Sequence, residues 1–227
     1  MAEIALYHGS EVVVSQPKLE LCRDHNDYGR GFYCTADVEL GKEWACQKGR
    51  DGFVSCYSLA ADGLTVVDLA SDDYTVLHWL SVLFSNRLFR LTTPVMARGA
   101  SWLSDRFPVD LGAADIVAGY RADDSYFGYA RAFLGNSLTL GQLNRALRLG
   151  QLGTQVMLKS PAAFEAVSFT GFVEADAATY YPLYSSRDAR AREEYAQMVA
   201  CESEQQDGLF ISALMAMGEE ELNACLR

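Results

Sequence analysis

The sequence predicts an α+β fold. Strand-like and helix-like segments follow one another without the regular strand–helix–strand alternation that builds a doubly wound parallel sheet. Half of the 227 residues are hydrophobic and 11% are aromatic, so a sizeable core can be buried within one domain that carries a small appended piece.

Each element has its own local signal. Residues 4–7 read as a short strand ending at the turn-prone His8-Gly9-Ser10, with 12–14 extending it. Residues 19–28 are polar and loop-like. Residues 31–34 read as a strand, and Thr35 is placed to cap a helix over 36–48. Residues 53–59 and 64–69 pattern as a hairpin around Asp62-Gly63. Ser71 then caps a helix whose apolar face holds Val76, Leu77, Leu80, Leu83, Phe84 and Leu88. A variable stretch over 92–108 precedes a buried strand at 115–119. Helices are expected over 123–134 and 139–149, with Gly150 as C-terminal cap. A strand at 155–159, a helical turn opened by Pro161 and a strand at 166–173 follow. After Pro182 the pattern is helical, over 186–201 and 209–226. The expected organisation is therefore a domain over 1–185 and a helical extension over 186–227.

The formal charge is −11. Such a balance disfavours non-specific nucleic-acid binding and adsorption to an anionic membrane, both of which need a basic face. No run approaches the roughly 18 apolar residues of a spanning helix, and the first residues lack the basic and apolar regions of a secretory signal. The six cysteines are scattered, with no Cys-x-x-Cys pair and no histidine at ligand spacing, so reduced thiols, no metal site and a cytoplasmic location are expected. No Gly-x-Ser-x-Gly elbow and no Walker loop are present.

Three segments carry chemistry. They are Leu6-Tyr7-His8-Gly9-Ser10, then Asp27-Tyr28-Gly29-Arg30-Gly31-Phe32-Tyr33-Cys34-Thr35, then Leu152-Gly153-Thr154-Gln155-Val156-Met157-Leu158-Lys159. In this order they resemble the ADP-ribosyltransferase superfamily, in its diphtheria-toxin-like and poly(ADP-ribose)-polymerase-like branch, and a bacterial family of it whose function is unassigned. The stretch from Asp115 to Asp124 looks like that family too. The resemblance covers about residues 4–175 and implies a split β-sheet core that binds NAD as substrate. It hints at bacterial conflict or toxin–antitoxin settings.

Breaking the nicotinamide–ribose bond develops oxocarbenium character on the sugar, so an enzyme must fix the ribose, hold the leaving ring and stabilise moving positive charge. The resemblance assigns His8 to a ribose hydroxyl. Gly9, lacking a Cβ, lets backbone groups approach the nicotinamide amide, and Ser10 offers another hydrogen bond. Tyr33 presents an aromatic face to the cationic pyridinium. Arg30 is placed to meet the pyrophosphate, and Gly31 and Thr35 complete the cofactor-binding turn. Gln155 stands where the branch usually has glutamate. It keeps hydrogen bonding and loses charge and basicity. Gly153 removes the Glu/Gln-x-Glu arrangement of the arginine-modifying branch, which makes arginine a less expected acceptor.

Other polar residues have simpler readings. Asp115, Asp123 and Asp124 flank the site or cap helices. His78, Trp79 and Tyr126 are read as core, and His25 as a loop residue near the cleft. The leading expectation is a mono-ADP-ribosyltransferase whose acceptor is a protein side chain, a nucleic acid or a small molecule. The alternatives are an NAD glycohydrolase, with water as acceptor, and a binding module that kept the pocket without the acid. The helical extension is expected to pack on the sheet or to bind a partner, such as a neutralising antitoxin or an identical chain.

Overall fold

Two antiparallel-dominated sheets form the frame of the chain. We describe it from a computed structural model, which covers residues 3–122, 124–148, 153–201 and 208–226. The expected cap at Gly150 and the carboxylate of Asp123 lie outside these residues. The first sheet runs in the order β1 (Glu3–Ser10), β3 (Gly52–Ala60), β7 (Val167–Ala175), all antiparallel. The second runs β2 (Phe32–Cys34), β6 (Thr154–Leu158), β5 (Ile116–Tyr120), β4 (Val66–Asp68), in which only β4 and β5 pair in parallel. An isolated bridge joins the sheets. Tyr7 and Thr35 exchange backbone N–H···O bonds of 2.8 and 2.9 Å. The fold is mixed α+β, as the sequence predicts.

Several elements depart from the local signals. His8, Gly9 and Ser10 continue β1 instead of turning, while residues 12–14 lie outside any strand. The expected hairpin does not form, although Gly63 does take the turn, at φ 81°. Both edges of β3 are already occupied, by β1 and β7, so the chain crosses after Gly63 to the second sheet. There Asp115 accepts from the Thr65 N–H at 2.8 Å and locks β4 alongside β5.

The helices are set by caps. Asp37, not Thr35, caps α1 (Val38–Ala45), accepting from Glu39 N at 2.9 Å. Thr75, not Ser71, caps α2 (Val76–Asn86), and the His78 side chain closes the capping box. The stretch read as variable contains α3 (Pro94–Arg106), capped by Thr93 with Pro94 in its first turn. Then follow α4 (Asp124–Leu134), α5 (Leu140–Ala146) and the short α6 (Pro161–Glu165). α7 (Ala177–Cys201) runs unbroken through Pro182 and through the expected domain boundary at 185/186. Beyond it come α8 (Ile211–Leu214) and α9 (Glu219–Cys225).

The principal core lies among the helices, around Trp79, Leu80, Leu83, Leu103, Tyr126 and Phe133. Ala191, Ile211, Leu214 and Leu222 belong to it, so the C-terminal helices pack on the body of the protein. A smaller cluster, including Leu6, Phe32, Tyr57, Ile116 and Leu158, lies between the sheets. α7 is further tied to α1 by Arg187, which donates to both carboxylate oxygens of buried Glu43 at 2.9 and 2.6 Å. Among the described residues no helix is long and apolar enough to cross a membrane.

Candidate functional site

A cleft of about 590 Å³ opens where β1 meets β2 and β6, within the range typical of small-molecule sites. It draws residues from distant parts of the chain: His8 and Gly9 from β1, Asp27, Gly31 and Tyr33 from the turn and β2, Trp44 from α1, Arg121 after β5, Gln155 from β6 and Tyr184 from α7.

His8 is half-buried and its ring lies tilted by 33° against Phe32, with centroids 4.4 Å apart. Its Nδ1 lies 2.7 Å from the Tyr33 carbonyl. A carbonyl only accepts, so Nδ1 carries the proton in the neutral ring and Nε2 is left as an acceptor. Burial lowers the His8 pKa, and the carbonyl contact opposes that shift.

Gly9 shows two constraints at once. A Cβ there would lie 2.0 Å from the Gly41 carbonyl oxygen and 2.7 Å from the Ala45 nitrogen, so glycine is required for α1 to pack on β1. Its backbone is also presented outward. Tyr7 spends both backbone groups on Thr35, and the two-residue alternation of an antiparallel pair turns those of Gly9 to the same side, away from β3.

The Tyr33 hydroxyl is committed, accepting from Tyr28 N at 3.0 Å and donating to Gly29 O at 2.8 Å. Burial raises its pKa far above the ordinary phenol value. What Tyr33 offers the cleft is therefore its ring.

Gln155 is 4% exposed, and its Nε2 donates to Asp27 Oδ2 at 2.7 Å, with the Tyr120 carbonyl at 3.4 Å. Asp27, 6% exposed, also accepts from Ala122 N at 2.8 Å and pairs with Arg87 Nε at 3.1 Å. Burial pushes the Asp27 pKa up, while Arg87 and these two donors pull it down. Arg87 in turn donates to the Ala122 carbonyl at 2.8 Å and stacks 4.8 Å from the centre of the Phe127 ring.

Of the residues expected at the site, His8, Gly9, Gly31, Tyr33 and Gln155 converge here. Gly31 is glycine because a Cβ would meet Met157 Cγ at 2.5 Å and Leu158 O at 2.6 Å. Three others do not reach the cleft lining. Ser10 Oγ donates to the Val12 carbonyl at 2.6 Å. Arg30 donates to the carbonyls of Leu19 and Glu20 and pairs with Asp24, which pins the preceding loop and takes its guanidinium away from a ligand role. Thr35 is buried, and its hydroxyl accepts from Asp37 N. Asp115 is likewise structural, holding Thr65 and Ser160.

The sequence allows a local basic pocket in spite of the net charge, but it does not identify the cations that form one. Among the described residues, Lys18, Arg23, Arg87 and Arg121 line the cleft against one acid, Asp27, in a protein whose overall charge is strongly negative. Among the described residues, Lys18, Arg23 and Arg121 form no ion pair, and the Arg121 guanidinium sits 4.4 Å over the Trp44 ring. The buried Trp44 indole N–H has no hydrogen-bond partner among the described residues. These four cations lie at 18, 23, 87 and 121, in no motif, so no linear pattern announces them. Asp27 alone stood inside a motif, next to Tyr28-Gly29.

The fold and cleft define an α+β protein of two bridged sheets with a basic, ligand-sized site at their junction. The chain belongs to the family described as "Protein of unknown function (DUF3990)", whose model matches residues 4–169. No curated protein and no solved structure matches it.

Proposed function

We propose that this protein binds NAD in the cleft and cleaves the nicotinamide–ribose bond, passing ADP-ribose to an acceptor. The observation that carries the reading is the convergence of His8, Gly9, Tyr33 and Gln155 on one cavity that is basic in an acidic protein. A dinucleotide brings two phosphate charges, an amide, hydroxylated sugars and a cationic ring, and the cleft offers a counterpart for each.

His8 Nε2 accepts from a ribose hydroxyl. The outward N–H and C=O of Gly9 pair with the nicotinamide amide. The Tyr33 ring faces the pyridinium, a contact of roughly 0.5–2 kcal/mol. Lys18, Arg23 and Arg121 meet the diphosphate, in place of Arg30. The C–N bond then breaks with its electron pair leaving on nicotinamide, which departs neutral. The acceptor's nucleophile bonds to the ribose carbon and gives up its proton to solvent. Gln155 cannot take that proton, so the acceptor must be one that needs no protein base.

The test is nicotinamide release from NAD by the purified protein beside His8→Ala and Tyr33→Ala. Release by the wild type and its loss in both variants is the expected result. Label from NAD left on a macromolecule means transfer, and free ADP-ribose alone means hydrolysis. Binding without release is the second reading, favoured by the uncharged Gln155, and it would move the protein to the class of NAD-binding modules. Neither binding nor release would sink both.

A further inference from the structure

We infer that Asp27 and Gln155 work as one unit, in which Asp27 is a positioning residue that turns the Gln155 carbonyl toward the ligand and holds a negative charge behind it. This rests on the NAD reading and names a residue that reading does not use.

The orientation follows from hydrogen-bond chemistry. Gln155 Nε2 faces the Asp27 carboxylate and the Tyr120 carbonyl, which both only accept, and the nearby Tyr28 hydroxyl spends its proton on that same Tyr120 carbonyl. The amide nitrogen must therefore face them, and Oε1 is left for the cleft that Gln155 lines. Turned the other way, the amide would place oxygen against oxygen. Asp27 is itself held from three sides, by Arg87 from the end of α2, by the Ala122 N–H beyond β5 and by Gln155 from β6, with Arg121, Tyr28 and Tyr33 also close enough to act on its charge. It cannot swing away without stranding Arg87 and a buried N–H. The result is an acceptor aimed at a ligand hydroxyl, backed by a carboxylate one hydrogen bond further off. A single glutamate at 155 would combine both functions in one side chain.

The pairing has a direct consequence for Gln155→Glu. Restoring the missing acid would set two carboxylates at hydrogen-bond distance in a buried site, where both cannot stay ionised. The variant should be impaired, and moving the amide to position 27 should repair it. The experiment is a double-mutant cycle with wild type, Asp27→Asn, Gln155→Glu and Asp27→Asn/Gln155→Glu, read as nicotinamide release, NAD affinity by calorimetry and melting temperature from pH 5 to 8.

Gln155→Glu should lose release by about tenfold or more at pH 7.5, as expected when a directional hydrogen bond is replaced by two facing carboxylates. Its melting deficit against wild type should widen as pH rises, because a carboxyl whose folded pKa is raised stabilises only while it holds its proton. The double variant should recover both, to within about threefold of wild-type release. Gln155→Glu releasing nicotinamide as fast as wild type or faster would overturn the inference while leaving the NAD reading in place. So would a double variant that regains melting temperature without regaining release, since the pairing would then be structural alone. A wild type that neither binds nor cleaves NAD would overturn the NAD reading, and the ligand-facing role of Gln155 with it.

Discussion

His8 sits in the strand with one ring nitrogen bound to the Tyr33 carbonyl and the other free of hydrogen bonds among the described residues. Burial, partly offset by that bond, keeps its pKa below that of an ordinary histidine. A group whose folded pKa is depressed takes up its proton more readily in the unfolded chain, so the stability it contributes is present above pH 6.5 and is lost as pH falls through the folded pKa. Wild-type protein should therefore lose melting temperature between pH 7.5 and 5 more steeply than His8→Asn, which keeps a donor for the Tyr33 carbonyl and does not titrate. Equal slopes would mean that His8 is not the group responsible. The residue types of the cleft were legible in the sequence where they sat in motifs: His8, Gly9, Tyr33 and Gln155 all reached it. The roles of others were not. Arg30 reads like a phosphate ligand but is consumed by two loop carbonyls and Asp24. The cations that do face the cleft come from a loop, a helix end and a strand end, which only the fold brings together.

Among the elements, β1 and α1 make the tightest junction. Gly9 and Gly41 let strand and helix touch backbone to backbone, and a methyl on Gly9 would overlap the Gly41 carbonyl. Overpacking typically costs about 1–3 kcal/mol, and backbone cannot yield as a side chain does. Gly9→Ala should thus lower stability by about 3 kcal/mol in urea unfolding. A change within a few tenths would mean that α1 shifts freely on the sheet. Caps decide the helices in a milder way. Thr93→Ala, which removes the acceptor for Met96 N, should cost about 1 kcal/mol. That helix shows how local signals are overlooked: Thr93-Pro94 is a start signal, but the segment lacks a strong apolar stripe, burying only Met96, Gly99 and Leu103 within the helix. The missed crossover between β3 and β4 has a different cause. Asp62-Gly63 does form a turn, yet turn chemistry says nothing of which sheet still has a free edge.

At the scale of the whole molecule, the C-terminal helices are part of the body. Glu43 is 3% exposed and both its oxygens are held by Arg187, 144 residues away in the chain. Removing one partner of a buried pair leaves the other uncompensated, at about 3–5 kcal/mol. Arg187→Ala should be destabilised by about that much in chemical unfolding. Glu43→Met/Arg187→Met should be affected far less, because no lone charge remains. If the single and double variants lose the same stability, the pair does not bind α7 to α1 in this way.

One turn of α7 before Arg187, Tyr184 lines the cleft, and α1 and the turn after it bring Trp44 and Gln47 to it as well. The family match ends at residue 169, before α7 begins. The side of the cavity at Tyr184 is thus written by a stretch of chain separate from the one that supplies His8, Tyr33 and Gln155. A change in that stretch can reshape this side of the cavity while leaving His8, Tyr33 and Gln155 as they are.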